Sequence, residues 1–293
     1  MAKKPVQAPP LKQAKQLSSG SAQPNETALA HPKTAIDNMV ADDVGLGLES
    51  MSPEDYAIPR LSILQALSPQ VNKRDDAYVE GAEVGAIYEN VSNRVFDNET
   101  GILMLLVSYR RAHLQWWPRD AKAGKGFIKD HGPDPAILSK TKRNDKGQNL
   151  MPDGSEIVPT AEYFGFLINE EDGTYERFVI SMSKTQMIKA KKLNTMASQF
   201  TVDVPGKGRQ VAPLFYRSYR FRTKPESNEH GNWFGWDIEP GPIVTQLKNG
   251  EQMYMDARNF RASILSGNIK VADPNADAGG EQTTQHADDN APM

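Results

Sequence analysis

Ile102-Leu-Met-Leu-Leu-Val-Ser-Tyr-Arg-Arg-Ala-His-Leu-Gln-Trp-Trp117 changes texture halfway along its length. The first six residues are all apolar, as in a strand covered on both faces. From Tyr109 to Trp117 polar and apolar residues nearly alternate, as in a strand with one open face. Read as one extended element, the stretch makes the protein a β-sheet structure, and the flanking sequence agrees. Ala86–Val91 and Arg94–Phe96 flank Ser92-Asn93, a hairpin turn signal. Tyr163–Ile168 and Tyr175–Ser181 read as two strands joined by a polar loop containing Asp172-Gly173. Leu214–Thr223 and Trp233–Ile238 read as a further hairpin across a loop containing Gly231.

Helical signals are fewer. Ser183 followed by Gln186 has the spacing of a capping box, with Met187, Ala190, Leu193 and Ala197 as the core face of the helix behind it. Glu251–Leu265 reads as a terminal helix stopped by Gly267. Ser52-Pro-Glu-Asp55 looks like a helix start, leading to Ile58–Leu67, an element broken by Pro59 and Pro69. Residues 118–160 are rich in Gly, Pro, Lys and Asp and read as a long loop. Several strands with one helix inserted and one at the end define an α+β body at 51–270. Its expected form is an OB-like small β-barrel.

The chain has 293 residues, no cysteine and a net charge of −3. Its mean hydropathy of −0.59 is low, and the ends account for much of that. Residues 1–35 contain five lysines, one Glu and no aromatic residue; residues 271–293 contain five acids and no Lys or Arg. Neither end carries enough apolar surface to offset the entropy of ordering it. The expected plan is a disordered basic arm and linker at 1–50, the body, and a disordered acidic tail at 271–293. Without cysteine, disulfides and Cys-ligated zinc are excluded. The longest apolar run, Ile102–Val107, is far too short to cross a bilayer. The expectation is a soluble protein of the cytoplasm with no membrane partner.

Charge is concentrated between Lys184 and Lys224, where ten basic residues face one acid, Asp203. Within that span Leu214-Phe-Tyr-Arg-Ser-Tyr-Arg-Phe-Arg222 interleaves aromatics with arginines, and Tyr109–Arg119 repeats the mixture. Aromatic faces stack on unpaired bases while guanidinium groups hold phosphates, which is how single strands are bound. The candidate stacking residues are Tyr109, Trp116, Trp117, Tyr219, Trp233 and Trp236. The candidate phosphate contacts are Arg110, Arg111, Arg119, Lys189, Lys192, Arg217, Arg220 and Arg222. The competing reading is that one aromatic set is core and the arginines pair with acids on neighbouring strands. Against it, no acid lies between Asp203 and Glu226 along the chain. The lysines of the helix read equally well as a solvated face, and Lys140-Thr-Lys-Arg143 as a flexible loop.

Enzyme signatures are poor. There is no phosphate-binding Gly-rich loop ending in Lys-Ser/Thr, no dinucleotide-binding glycine pattern and no Gly-x-Ser-x-Gly elbow. The five histidines are scattered. No cofactor or metal is expected, and Asp97 with Asp120-Ala-Lys122 only loosely matches a nuclease arrangement.

Ile58–Pro69, Gly85–Asn90, Ser108–Arg119, Ser181–Asn194 and the Trp-Phe-Gly-Trp hairpin resemble a set of tailed-phage proteins over roughly residues 58–260. The layout is similar to phage single-stranded DNA-binding proteins. That resemblance implies a non-catalytic role in phage DNA replication or recombination, with phage replication proteins recruited through the acidic tail. The tail departs from the pattern, since it ends Asn290-Ala-Pro-Met293 with no terminal aromatic. The alternatives are a phage structural or host-takeover interaction protein, and a nuclease or annealing enzyme.

Overall fold

A computed structural model describes residues 58–118, 124, 126–228 and 231–267, together with 36, 39, 43 and 46–50. The basic arm at 1–35, the helix start at Ser52, Arg119 and the acidic tail all lie outside the described residues. The chain divides into two units, 1–50 and 51–293. In the first, a short turn is held by the Asp43 N–H donating to the Met39 carbonyl at 3.0 Å.

The second unit is mixed α+β, with a strongly curled half-barrel sheet and few helices. Thirteen strands occur among the described residues: β1 Arg60–Ile63, β2 Ile87–Glu89, β3 Val95–Phe96, β4 Ile102–Trp117, β5 Gly126–Asp130, β6 Lys142–Arg143, β7 Asn149–Leu150, β8 Glu156–Ile168, β9 Tyr175–Ser183, β10 Thr201–Val204, β11 Gly208–Val211, β12 Arg217–Asn228 and β13 Gly231–Ile243. Two α-helices follow β9 and β13: α1 Met187–Gln199 and α2 Gly250–Leu265. The main sheet runs β13-β12-β4-β8-β9-β1-β2-β3, with β5 on β4 and the β6–β7 pair on β8; β10 and β11 form a separate hairpin. The β1–β9 pairing is parallel and the others are antiparallel.

The run Ile102–Val107 is apolar throughout because both its faces are covered. Ile102, Met104 and Leu106 point into a core completed by Leu61, Tyr163, Phe178, Ile180, Tyr219, Phe221, Trp236 and α1. Because β1, β2, β4, β8, β9, β12 and β13 all contribute to it, this is the inner face of the curl. Leu103, Leu105 and Val107 point outward and pack with Phe164, Phe166 and Phe260 beneath α2. The register of β4 on β8 shifts between Leu106 and Ser108. That extra residue reverses the alternation, so Ser108, Arg110 and Ala112 share the outer face and Tyr109, Arg111 and His113 the inner one.

Three sequence expectations are corrected. The stretch 118–160 is not an unbroken loop: β5, β6 and β7 lie within it and β8 begins at Glu156. Its turns at Gly147 and Gly154, both with positive φ, allow these short strands to double back. The strand expected from Leu214 begins at Arg217, because Leu214–Tyr216 is a 3-10 turn after Pro213. The pattern Ser183-x-x-Gln186 makes no capping box, because the Gln186 amide oxygen accepts from the Trp236 N–H at 2.9 Å instead. The register of β12 on β13 runs unbroken through Gly235; the irregularity lies at Arg217/Tyr219.

Candidate nucleic-acid interface

Tyr219 and Trp236 are core residues, each 2% exposed. They alternate inward on β12 and β13, and Trp236 meets Phe221 edge-on at 5.7 Å between ring centroids. Burial raises the Tyr219 hydroxyl above the ordinary tyrosine value. Neither offers a face to a base in this conformation. Trp233 is half-buried, and its Nε1–H donates to Glu226 at 3.0 Å. Trp116 packs its ring edge-on against Phe127 at 5.3 Å, and Trp117 lies against Gly124, which has no side chain to obstruct it.

Arginines of β12 have partners that lie across the sheet rather than nearby along the chain. Arg220 makes a bidentate pair with Glu170 of the β8–β9 turn, both bonds at 2.6 Å. Arg222 pairs with Glu239 at 2.8 Å and Lys224 with Asp237 at 2.7 Å, each reaching diagonally across to β13. The hydrogen bond from Lys224 holds the Asp237 carboxyl below its usual range. Lys189 pairs with Glu226 at 2.6 Å. Burial pushes Glu226 up, but the hydrogen bonds from Lys189 and Trp233 more than reverse this, so its carboxyl also sits low. Arg217 holds its guanidinium 3.8 Å above the Phe200 ring. Lys192 is exposed and contributes to the positive field at Asp237. The expectation that the charges of this strand lack partners is therefore corrected for Arg220 and Arg222, and Lys189 is ion-paired rather than simply solvated.

Arg110 belongs to a buried network on the outer face. It binds Glu162, which is 1% exposed, through its Nε at 2.8 Å, and Asp130 at 2.9 Å. Arg60 lies 3.6 Å from the other Glu162 oxygen and donates to Ser181. Burial disfavours the Arg110 charge, but Glu162 and Asp130 outweigh it and hold the group above its ordinary pKa.

Arg111 is the arginine of this strand that stays exposed. It opens onto a cavity of about 390 Å³ on the inner face, shared with Arg143, Lys184, Met187, Lys191 and Pro159. Four cations thus meet one acid, Glu156, which Lys184 reaches at 3.2 Å. Arg111, Arg143 and Lys191 form no ion pair among the described residues. Tyr109, two residues before Arg111 on the same face, is 39% exposed, with its ring 5.3 Å from Tyr163. Tyr163 is anchored beneath α1 by its hydroxyl, which donates to Asn194 at 2.8 Å.

Of the sequence candidates, the structure brings Tyr109 and Arg111 together here, sets Lys189 and Trp233 on Glu226 of the β12–β13 hairpin with Lys192 in the field of Asp237, and pairs Arg220 and Arg222 with other acids. Arg143, Lys184 and Lys191 complete the groove. Lys184 stands in the 3-10 turn that precedes α1 and Lys191 on α1 itself, and both line the cavity. Arg143 is positioned by the β6–β7 hairpin, whose Asn-Asp-Lys-Gly turn at 144–147 is visible in the sequence.

The model of the Pam3 phage gp34-like protein family matches residues 26–270, which includes every strand and both helices described above. The chain belongs to that family. No curated protein and no solved structure matches this Pam3 gp34-like protein. Among its described residues no helix is long and apolar enough to cross a membrane.

Proposed function

We propose that this phage-family protein is a non-catalytic, sequence-tolerant single-stranded DNA-binding protein acting in phage DNA replication or recombination. One observation carries the reading: Arg111, Arg143 and Lys191 converge on one groove without ion-pair partners, beside the exposed ring of Tyr109. Arg110, Lys189, Arg220, Arg222 and Lys224 are all neutralised by acids. Unpaired cations are the ones free to replace the counterions of a phosphate backbone. In this reading the curled sheet serves as the OB-like platform expected from the sequence, and Tyr109 stacks on a base. The test is affinity for a single-stranded oligonucleotide across a salt series. Three phosphate contacts give a log–log slope of about −2, at about −0.7 per phosphate. An affinity insensitive to salt overturns the proposal. Competition with duplex DNA and with RNA identifies the preferred strand.

A second reading, a phage structural or host-takeover interaction protein, is supported by a different feature, an uncovered stretch of sheet edge.

A further inference from the structure

β4 is bordered by different neighbours along its length. β12 pairs with it from Ile102 to Leu105, and β5 from Leu114 to Trp117. Between them the 3-10 turn Leu214–Tyr216 lies beside Val107, and from Ser108 to Ala112 no described strand pairs with this edge. The backbone direction follows from His113. Its N–H donates to Gly132 and its carbonyl accepts from His131, both at 3.0 Å and both on the β5 side. Main-chain groups alternate sides along a strand. The N–H and C=O of Tyr109 and Arg111 therefore also point to this side, away from β8. Buried or not, such groups take a partner, and an unpaired edge is a template for another strand. The opening spans five residues, about 17 Å of extended chain at 3.4 Å per residue.

The surroundings indicate what would fill it. Beside Val107 a cavity of about 570 Å³ has an apolar floor of Pro213, Leu214 and Phe215. Its rim is Arg258 and Arg261, three apart and so on one side of α2. Both are exposed, and neither forms an ion pair among the described residues. An apolar floor between unpaired arginines complements an apolar anchor flanked by carboxylates.

We infer that the Ser108–Ala112 edge of β4 accepts an extended acidic peptide segment of a partner protein as an added strand. Its backbone pairs with Tyr109 and Arg111, an apolar side chain enters the cavity at Val107, and its carboxylates meet Arg258 and Arg261. Strand addition of this kind takes affinity from main-chain bonds and specificity from alternate side chains. The edge uses the main chain of Tyr109 and Arg111, whose side chains belong to the proposed nucleic-acid groove, so peptide binding is measured without nucleic acid.

The test uses the full chain and a fluorescent peptide alternating Asp or Glu with Val or Leu, followed by anisotropy without nucleic acid. The expected result is salt-sensitive binding that falls at least about tenfold in Arg258→Glu/Arg261→Glu, whose exposed positions leave the fold intact. Binding should also be lost when alternate peptide nitrogens are methylated, which removes ladder donors but no charge. Tyr109→Pro removes the corresponding N–H from the protein and should weaken binding likewise. Methylation without effect, or equal binding to the double charge reversal, overturns the inference. If deletion of 268–293 raises peptide affinity by about tenfold, the acidic segment of this chain is the occupant and a partner protein is not.

Discussion

The side-chain amide of Gln65 bonds both main-chain groups of Phe234, donating to its carbonyl and accepting from its N–H, each at 2.9 Å. This is the pair of bonds a neighbouring strand would supply. It bridges the seam where the curled sheet brings β13 round to the chain leaving β1. Thr223 and Gln186 add bonds along the same seam, to the Gly85 carbonyl and the Trp236 N–H. Gln65→Leu should lower stability by about 2 kcal/mol, two hydrogen bonds at about 1 kcal/mol each. Gln65→Glu keeps the acceptor and loses the donor, and should cost about half as much. Urea denaturation measures both; an unchanged midpoint for Gln65→Leu would show that the seam is held by packing alone.

Gly85 sits on the same seam with φ +96°, and an added Cβ would lie 2.5 Å from the Phe234 ring. Gly85→Ala should therefore destabilise by about 1–3 kcal/mol, from backbone strain together with displacement of the ring. The double variant with Gln65→Leu should cost less than the sum of the two, since both act on Phe234.

Glu162 serves two arginines from a buried position, Arg110 at 2.8 Å and Arg60 at 3.6 Å. Glu162→Gln should cost about 3–5 kcal/mol, because it removes the buried carboxylate that Arg60 and Arg110 share. Asp130→Asn should cost much less, since its side chain is 29% exposed and water can replace it. Equal effects from the two would place the Arg110 charge in solvent rather than in the sheet.

The strands were legible where hydrophobic periodicity was strong. Ile102–Val107 announced its two buried faces, and the Asp172-Gly173 turn announced the β8–β9 hairpin. The shift at Leu106/Ser108 was not legible, because nothing in Val107-Ser108-Tyr109 marks an extra residue, yet it decides which way Arg110 and Arg111 point. The partners of Arg222 and Lys224 were within reach: Asp237 lies on the strand already expected to pair with β12, and Glu239 one residue beyond its expected end. Counting acids along the chain instead of across the hairpin concealed them. Glu170 and Glu162 could not be assigned in this way, since their contacts depend on sheet order. Short strands such as β6 and β7 carry too few residues for a period to show.

Tyr175 hydrogen-bonds Asp256 of α2 at 2.6 Å, and burial, with that carboxylate, pushes its hydroxyl up to about 12. The folded state thus keeps a proton that the unfolded chain loses near the ordinary tyrosine value of about 10. The contribution is complete below pH about 10 and is lost as pH rises through the folded value. Stability should fall across that window, and Tyr175→Phe should fall less steeply. The urea midpoint followed at several alkaline pH values reads the difference; parallel curves would mean that Tyr175 does not titrate with folding.

The groove and the β12 strand make opposite predictions about charge. Arg111→Ala and Lys191→Ala should each weaken single-strand binding and reduce the magnitude of the salt slope by about 0.7, one phosphate contact apiece. Tyr109→Ala should cost about 1–3 kcal/mol of binding through lost stacking, with little change in slope. Arg220→Ala and Arg222→Ala remove cations already paired with Glu170 and Glu239. They should leave affinity within about twofold and change stability by about 1 kcal/mol or less, the usual range for pairs open to solvent. If the β12 variants lose the affinity and the groove variants keep it, Glu170 and Glu239 release their arginines to DNA, and the interface lies on the hairpin.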